Sequence, residues 1–240
     1  NRFEFRSVGS SLSISGPNTT LDAILAYSLK EYADELEKSD NFEKDLQNLV
    51  KREITAHWRI IFDGNGYDGN WIKEAEKRGL LNLRTLPDAM EEYLKPKNIK
   101  LYNEMGVYSE TELRSHYEIK LEKYVGILNI EVETMLEMIN KDILPATFKY
   151  METVGKSAAE VRNLVPEAKC VAQSSLLKKL DDLAEKLSEK AEALSEKHSE
   201  AKKCSSIIKT AHAYADTVIP AMEEARAVAD KIEPLLSEEF

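Results

Sequence analysis

Apolar side chains recur every three or four residues along most of this chain, the spacing that lines one face of an α-helix. Leu21, Ile24, Leu25, Leu29, Tyr32 and Leu36 form the first stripe, with Thr19 or Thr20 as its cap. Phe42, Leu46, Leu49, Val50, Ile54, Trp58 and Ile61 form the second, which ends at the turn-rich Asp63-Gly64-Asn65-Gly66. Shorter helices are expected from Trp71 to Lys77, closed by Gly79, and from Thr85 to about Leu94, with Pro87 in the first turn. Another covers Ile99 to Met105 and stops at Gly106. Ser109 with Glu112 is a capping-box pair that opens the longest stripe: Leu113, Tyr117, Leu121, Tyr124, Leu128, Val132, Met135, Ile139, Ile143 and Ala146. Pro145 is expected to kink this helix rather than end it, because the rhythm runs on through Tyr150. Two further stripes run from Leu176 through Leu180, Leu183, Leu187 and Ala191 to Leu194, and from Ile208 through Ala211, Ala215, Val218, Met222, Ala225 and Ala229 to Ile232. The polar stretch His198 to Ser206 between them predicts a reversal, hence an antiparallel hairpin packed on the long helix.

The start of the chain departs from this pattern. Asn1-Arg2-Phe3-Glu4-Phe5-Arg6 alternates charged and aromatic residues, which predicts a strand with Arg2, Glu4 and Arg6 on one face and Phe3 and Phe5 on the other. Gly16-Pro17-Asn18 reads as a turn after it. A lone strand cannot satisfy its own backbone hydrogen bonds, so its sheet partners are expected upstream and the chain is expected to be a C-terminal fragment. The expected fold class is mostly α, with one orphan N-terminal strand and a long antiparallel helical extension.

A net charge of -10 and a pI near 5.1 argue against a nucleic-acid partner. No apolar run approaches the ~20 residues of a membrane span, so no membrane partner is expected. The two cysteines, Cys170 and Cys204, read as free thiols in a reducing cytoplasm. Asp63, Asn65 and Glu74 match three positions of a calcium-binding EF-hand loop, but Asp68 stands where that loop requires glycine. A helix-to-helix connection is the better reading. His57 and His116 read as structural, and His198 and His212 as solvent-facing or at the rim of the hairpin.

A cation-anion-cation face suits chemistry on charged oxygens, since guanidinium groups bind phosphate and carboxylate bidentately. The string Arg2-Phe3-Glu4-Phe5-Arg6-Ser7-Val8-Gly9-Ser10-Ser11, with Ile14-Ser15-Gly16-Pro17-Asn18-Thr19, resembles the glutamine synthetase family, its type III branch specifically. So do Ala75-Glu76-Lys77-Arg78-Gly79-Leu80, Ile143-Leu144-Pro145-Ala146, and the run from Val218-Ile219-Pro220-Ala221 to Asp230. The resemblance spans nearly the whole chain, as the C-terminal part of such an enzyme. It implies ATP-dependent ligation of ammonia to L-glutamate through γ-glutamyl phosphate, Mg²⁺ or Mn²⁺ in the site, and homo-oligomeric rings. It implies that Glu4 ligates a metal ion, that Arg6 is a catalytic arginine beside the glutamate and the transferred phosphoryl group, and that Arg2 lies near the nucleotide phosphates. Residues 1–106 would then be the end of an α+β catalytic domain, and 107–240 a helical extension. The residues alone leave a second reading open: a non-catalytic helical scaffold or oligomerisation module of the same fold.

Overall fold

The computed structural model describes residues 8, 9, 12–66 and 68–239. Among the described residues the chain forms ten α-helices, joined by short 3₁₀ and π segments, and no strand. The strand expected at residues 2–6 lies outside them. The chain divides into two compact units, Asn1–Arg84 with Asp88–Tyr117, and Thr85–Pro87 with Glu118–Phe240.

In the first unit, α1 (Ser15–Leu36) starts earlier than expected. Gly16, Pro17 and Asn18 are its first turn and not a turn before it. Proline is tolerated there because the first N–H groups of a helix have no intrahelical partner. Thr20, expected as a cap, instead donates its hydroxyl to the Gly16 carbonyl at 2.9 Å and lies 2.7 Å from the Tyr102 hydroxyl. Tyr102 belongs to α5 (Pro96–Glu104), and Ala23, Tyr102 and Leu113 form the buried centre of the unit. Thus α1 turns its small residues toward α5. Its large apolar stripe, Leu21, Ile24, Leu25 and Leu29, stays 37% to 58% exposed.

Helix α2 (Phe42–Ala56) is capped by Asn41, whose side chain accepts from the Lys44 N–H at 3.3 Å. It stops before Trp58, where the backbone tightens into a 3₁₀ turn, Trp58–Ile60. Of its expected core stripe only Leu49 is buried; Phe42, Leu46, Val50, Ile54 and Trp58 are exposed. Helices α3 (Gly69–Lys77) and α5 end alike. Gly79 at φ +73° and Gly106 at φ +65° occupy the left-handed position just beyond each C-terminus. The Leu80 N–H reaches back to the Ala75 carbonyl and that of Gly79 to Glu76, and Val107 and Gly106 repeat the pattern on Tyr102 and Asn103. Between these helices lies α4 (Leu86–Tyr93), followed by Pro96 as the first residue of α5. The capping box forms as expected: the Ser109 N–H donates to Glu112 at 2.8 Å, and the Glu112 N–H to Ser109 Oγ at 3.3 Å.

The second unit is a three-stemmed helical bundle. One stem is α6 (Glu110–Met138) beyond Tyr117, a π segment Ile139–Ile143, and α7 (Leu144–Leu164). The middle stem is α8 (Val171–Ala201). The third is α9 (Ile207–Ala213), a π segment Tyr214–Val218, and α10 (Ile219–Ile232). The reversal falls at 202–206, inside the expected stretch. Lys190 pairs with Glu224 while His198 meets Tyr214, so α8 and the third stem run antiparallel. The α8 stripe is buried as expected: Leu180, Leu183, Leu187, Ala191 and Leu194. Facing alanines, Ala184 and Ala191 on α8 and Ala221 and Ala225 on α10, let the stems approach closely.

Both π segments precede a proline. Pro145 and Pro220 have no N–H to give, and the residue before each, Leu144 and Ile219, donates five residues back, to Ile139 and Tyr214. The wider turn lets the helix pass the proline, consistent with the continuation expected at Pro145. It also inserts a residue into the stripe. After Ile139 the fully inward positions are Leu144 and Thr147, where unbroken spacing predicts Ile143 and Ala146.

Two stability measurements follow from these contacts. Leu187→Ala removes a side chain with no exposed surface and should destabilise the second unit by about 2–5 kcal/mol in urea unfolding. At Gly79 a new Cβ would meet only Arg59, at an ordinary 3.6 Å. Gly79→Ala should therefore cost only the left-handed backbone strain, about 1–2 kcal/mol.

Candidate functional site

Arg2, Glu4 and Arg6 all lie outside the described residues. The chain that follows them is anchored to the first unit. The Leu12 N–H bonds to the Gly9 carbonyl at 3.0 Å, and Ser13 Oγ accepts from the Ser15 N–H at 3.2 Å to start α1. Ala23 and Thr20 then hold α1 on Tyr102.

The 61–79 segment brings polar and aromatic contacts together. Phe62 stacks on Trp71 with ring centres 4.0 Å apart. The Arg78 guanidinium lies 5.5 Å from the Trp71 ring centre, donates to Glu74 at 2.7 Å, and reaches the Ile61 carbonyl at 3.0 Å. It draws the Glu74 carboxyl below its usual range. Glu74, one of the residues that fitted a calcium loop, is thus engaged by an arginine. Asp68 caps α3, accepting from the Asn70 N–H at 3.1 Å, and that bond holds its carboxyl low. No group of three or more His, Cys, Asp or Glu side chains suited to a metal ion occurs among the described residues.

Other charged groups serve the scaffold. Arg52 grips Glu35 with two bonds of 2.8 Å, tying α2 to α1 and lowering the Glu35 pKa. A shallow groove of about 610 Å³ between α5 and the start of α6 is lined by Leu94, Ile99, Lys100 and Arg114 among others. Its two cations are already engaged, Lys100 by Glu104 and Arg114 by Glu110. A second groove, about 350 Å³ between α7 and α8, is lined by Tyr150, Val154 and Leu176 and has no charged lining. Tyr93, packed against Tyr102, is pushed up to about 12 by burial. Cys170 and Cys204 are free thiols. Among the described residues no helix is long and apolar enough to cross a membrane.

His198 corrects an expectation. It is only 6% exposed, not at a solvent-facing rim, and its Nε2 lies 3.0 Å from Asn129 Oδ1. Its position continues the α8 stripe, four residues after Leu194 and three before Ala201. That spacing was the available signal. Tyr214, fully buried beside it, likewise sits three residues after Ala211 and four before Val218.

The comparisons fit this picture. Residues 45–162 match the family model described as glutamine synthetase C-terminal domain. A glutamine synthetase of Butyrivibrio fibrisolvens is 33% identical over 201 residues, covering 84% of this chain and 29% of that protein. A type-3 glutamine synthetase of Dictyostelium discoideum is 30% identical over 99% of this chain and 33% of its own length. A glutamine synthetase of Bacteroides fragilis (strain YCH46) is 27% identical over the whole of this chain and 34% of its own length. The chain therefore spans about a third of the length of these relatives. Family model and relatives agree: the chain carries a C-terminal-type domain of the type III glutamine synthetase family.

Proposed function

We propose that this chain works as the C-terminal part of a cytoplasmic glutamine synthetase that ligates ammonia to L-glutamate through γ-glutamyl phosphate, with ATP as co-substrate. The observation that supports it most is the near-complete match of the chain to a type-3 glutamine synthetase. The exposed apolar faces of α1 and α2 agree with it. Leu25, Leu29, Phe42, Val50 and Trp58 are a surface that further chain of a longer enzyme would cover.

In this reading Arg6 lies against the γ-phosphoryl group, where a fixed guanidinium offsets charge that grows on its oxygens during transfer. Arg2 positions the nucleotide phosphates, and Glu4 is a hard oxygen donor that suits Mg²⁺ or Mn²⁺. The ion, when bound, would neutralise phosphate charge. One carboxylate does not make a site, and the described residues offer no ligand cluster, so the other ligands would come from elsewhere in the longer protein. Homo-oligomeric rings belong to the same reading.

In the longer protein, Glu4→Ala is expected to lower metal-dependent glutamine formation at least 10²-fold with an unchanged melting curve. Undiminished activity would remove Glu4 from the site, and no glutamine formation by the unaltered longer protein would favour a non-catalytic scaffold. Native mass of the same protein should report a large oligomer, and a monomer would remove the rings.

A further inference from the structure

One cluster in the second unit has no part in the proposed chemistry. Three stems of the bundle meet at Asn129. His198 of α8 lies 3.0 Å from its Oδ1, and the Tyr214 hydroxyl of the third stem donates to the same oxygen at 3.5 Å. Asn129 Nδ2 donates to Glu133 at 3.1 Å, and Lys202, just past the end of α8, donates to that same Glu133 oxygen at 3.0 Å. The His198 and Tyr214 rings meet edge to face, with centres 5.9 Å apart.

The direction of each bond follows from its neighbour. Lys202 holds the Glu133 carboxyl below its usual range, so it is ionised and can only accept. The Asn129 amide must then aim its NH₂ at Glu133 and its oxygen at His198. Two donors converge on that oxygen, His198 Nε2–H and the Tyr214 hydroxyl. One imidazole proton is therefore held on Nε2; in the neutral ring Nδ1 carries none, and a second proton would enter there.

We propose that this cluster is an acid-sensitive latch, holding the α8–α9 end of the bundle closed while His198 is neutral and releasing it when His198 takes up a second proton. The geometry supplies the reason. His198 is only 6% exposed and the buried Tyr214 ring lies edge-on against it, so a cation there gives up most of its water. The charged and titratable groups that face it are Glu133 from α6, Lys202 from the end of α8 and Tyr214 from the π segment. Glu133 favours the imidazolium but is already engaged by Lys202, which opposes it. Burial, then Lys202, lower the His198 pKa from 6.5, against Glu133. A depressed value means that the opened state binds the proton more readily. The latch is fully closed above about pH 6.5 and weakens as pH falls toward the folded value, by up to about tenfold per pH unit for one proton. Opening would begin at the last turn of α8, the 202–206 reversal and α9. The Leu180–Ala191 core lies farther along the bundle.

Hydrogen exchange on the full chain at about pH 7.5 and 5.5, corrected for the intrinsic chemical rate, tests this. Amides of 198–214 should open more often at the lower pH, by up to about tenfold, while those of 180–191 change less. His198→Gln keeps an N–H donor and cannot titrate, and it should flatten that difference. An equal pH response in both proteins, or none in the parent, overturns the latch. Should His198→Gln fail to fold, NMR titration of His198 in the unaltered chain decides: a midpoint below 6.5, raised by Lys202→Gln, supports the latch, and a midpoint at or above 6.5 overturns it.

Discussion

The second unit depends on one constraint: the buried stripe of α8 must serve two neighbours at once. Leu180, Leu183, Leu187, Ala191 and Leu194 pack against the α6–α7 stem and against the α9–α10 stem. A middle helix with apolar residues only at three-four spacing has a narrow face, so its partners must come close to share it. The alanines at 184, 191, 221 and 225 make that approach possible. Helix propensity alone could not hold these stems together, because most helical stability in proteins comes from burial of the apolar face.

Closeness along the whole length requires each outer stem to keep its register past a proline. A proline in an ordinary α-helix clashes with the carbonyl four residues back and leaves it without a partner. The π turns before Pro145 and Pro220 widen the ladder by one residue there. Near each widened turn a side chain also bonds the backbone four residues back: Asn140 donates to the Leu136 carbonyl at 2.8 Å, and Thr217 to that of Ala213 at 2.6 Å. The inserted residue brings Leu144 and Thr147 inward.

This explains which parts of the fold were legible in the sequence. The α8 stripe, the reversal before Ile207, the capping box and the two glycine stops are local chemistry, and local rules identified them. The Ile143–Ala146 register failed because periodicity assumes a uniform helix. The start of α1 failed because Gly-Pro-Asn suits a turn and a helix N-terminus equally well. The large stripes of α1 and α2 are amphipathic as read, yet they face outward among the described residues. Periodicity identifies an apolar face but not what covers it. The alternation of Arg2, Glu4 and Arg6 is in the same position, since a strand face acquires a role only from the groups set opposite.

Three of the strings that carry the family resemblance include irregular backbone among the described residues. Arg78-Gly79-Leu80 is the end of α3, where Gly79 takes the left-handed position, Leu80 closes the turn and Arg78 clamps Trp71, Glu74 and the Ile61 carbonyl. Ile143-Leu144-Pro145-Ala146 and Val218-Ile219-Pro220-Ala221 are the exits of the two π turns. At such positions the backbone decides the residue, because few side chains tolerate positive φ and only proline lacks the N–H. Elsewhere on these helices many residues of similar size and polarity would serve. These three strings are thus where geometry leaves least choice, and they fix the ends and register of the helices. Resemblance at these positions therefore speaks to fold, and the evidence for catalysis must come from Arg2, Glu4 and Arg6.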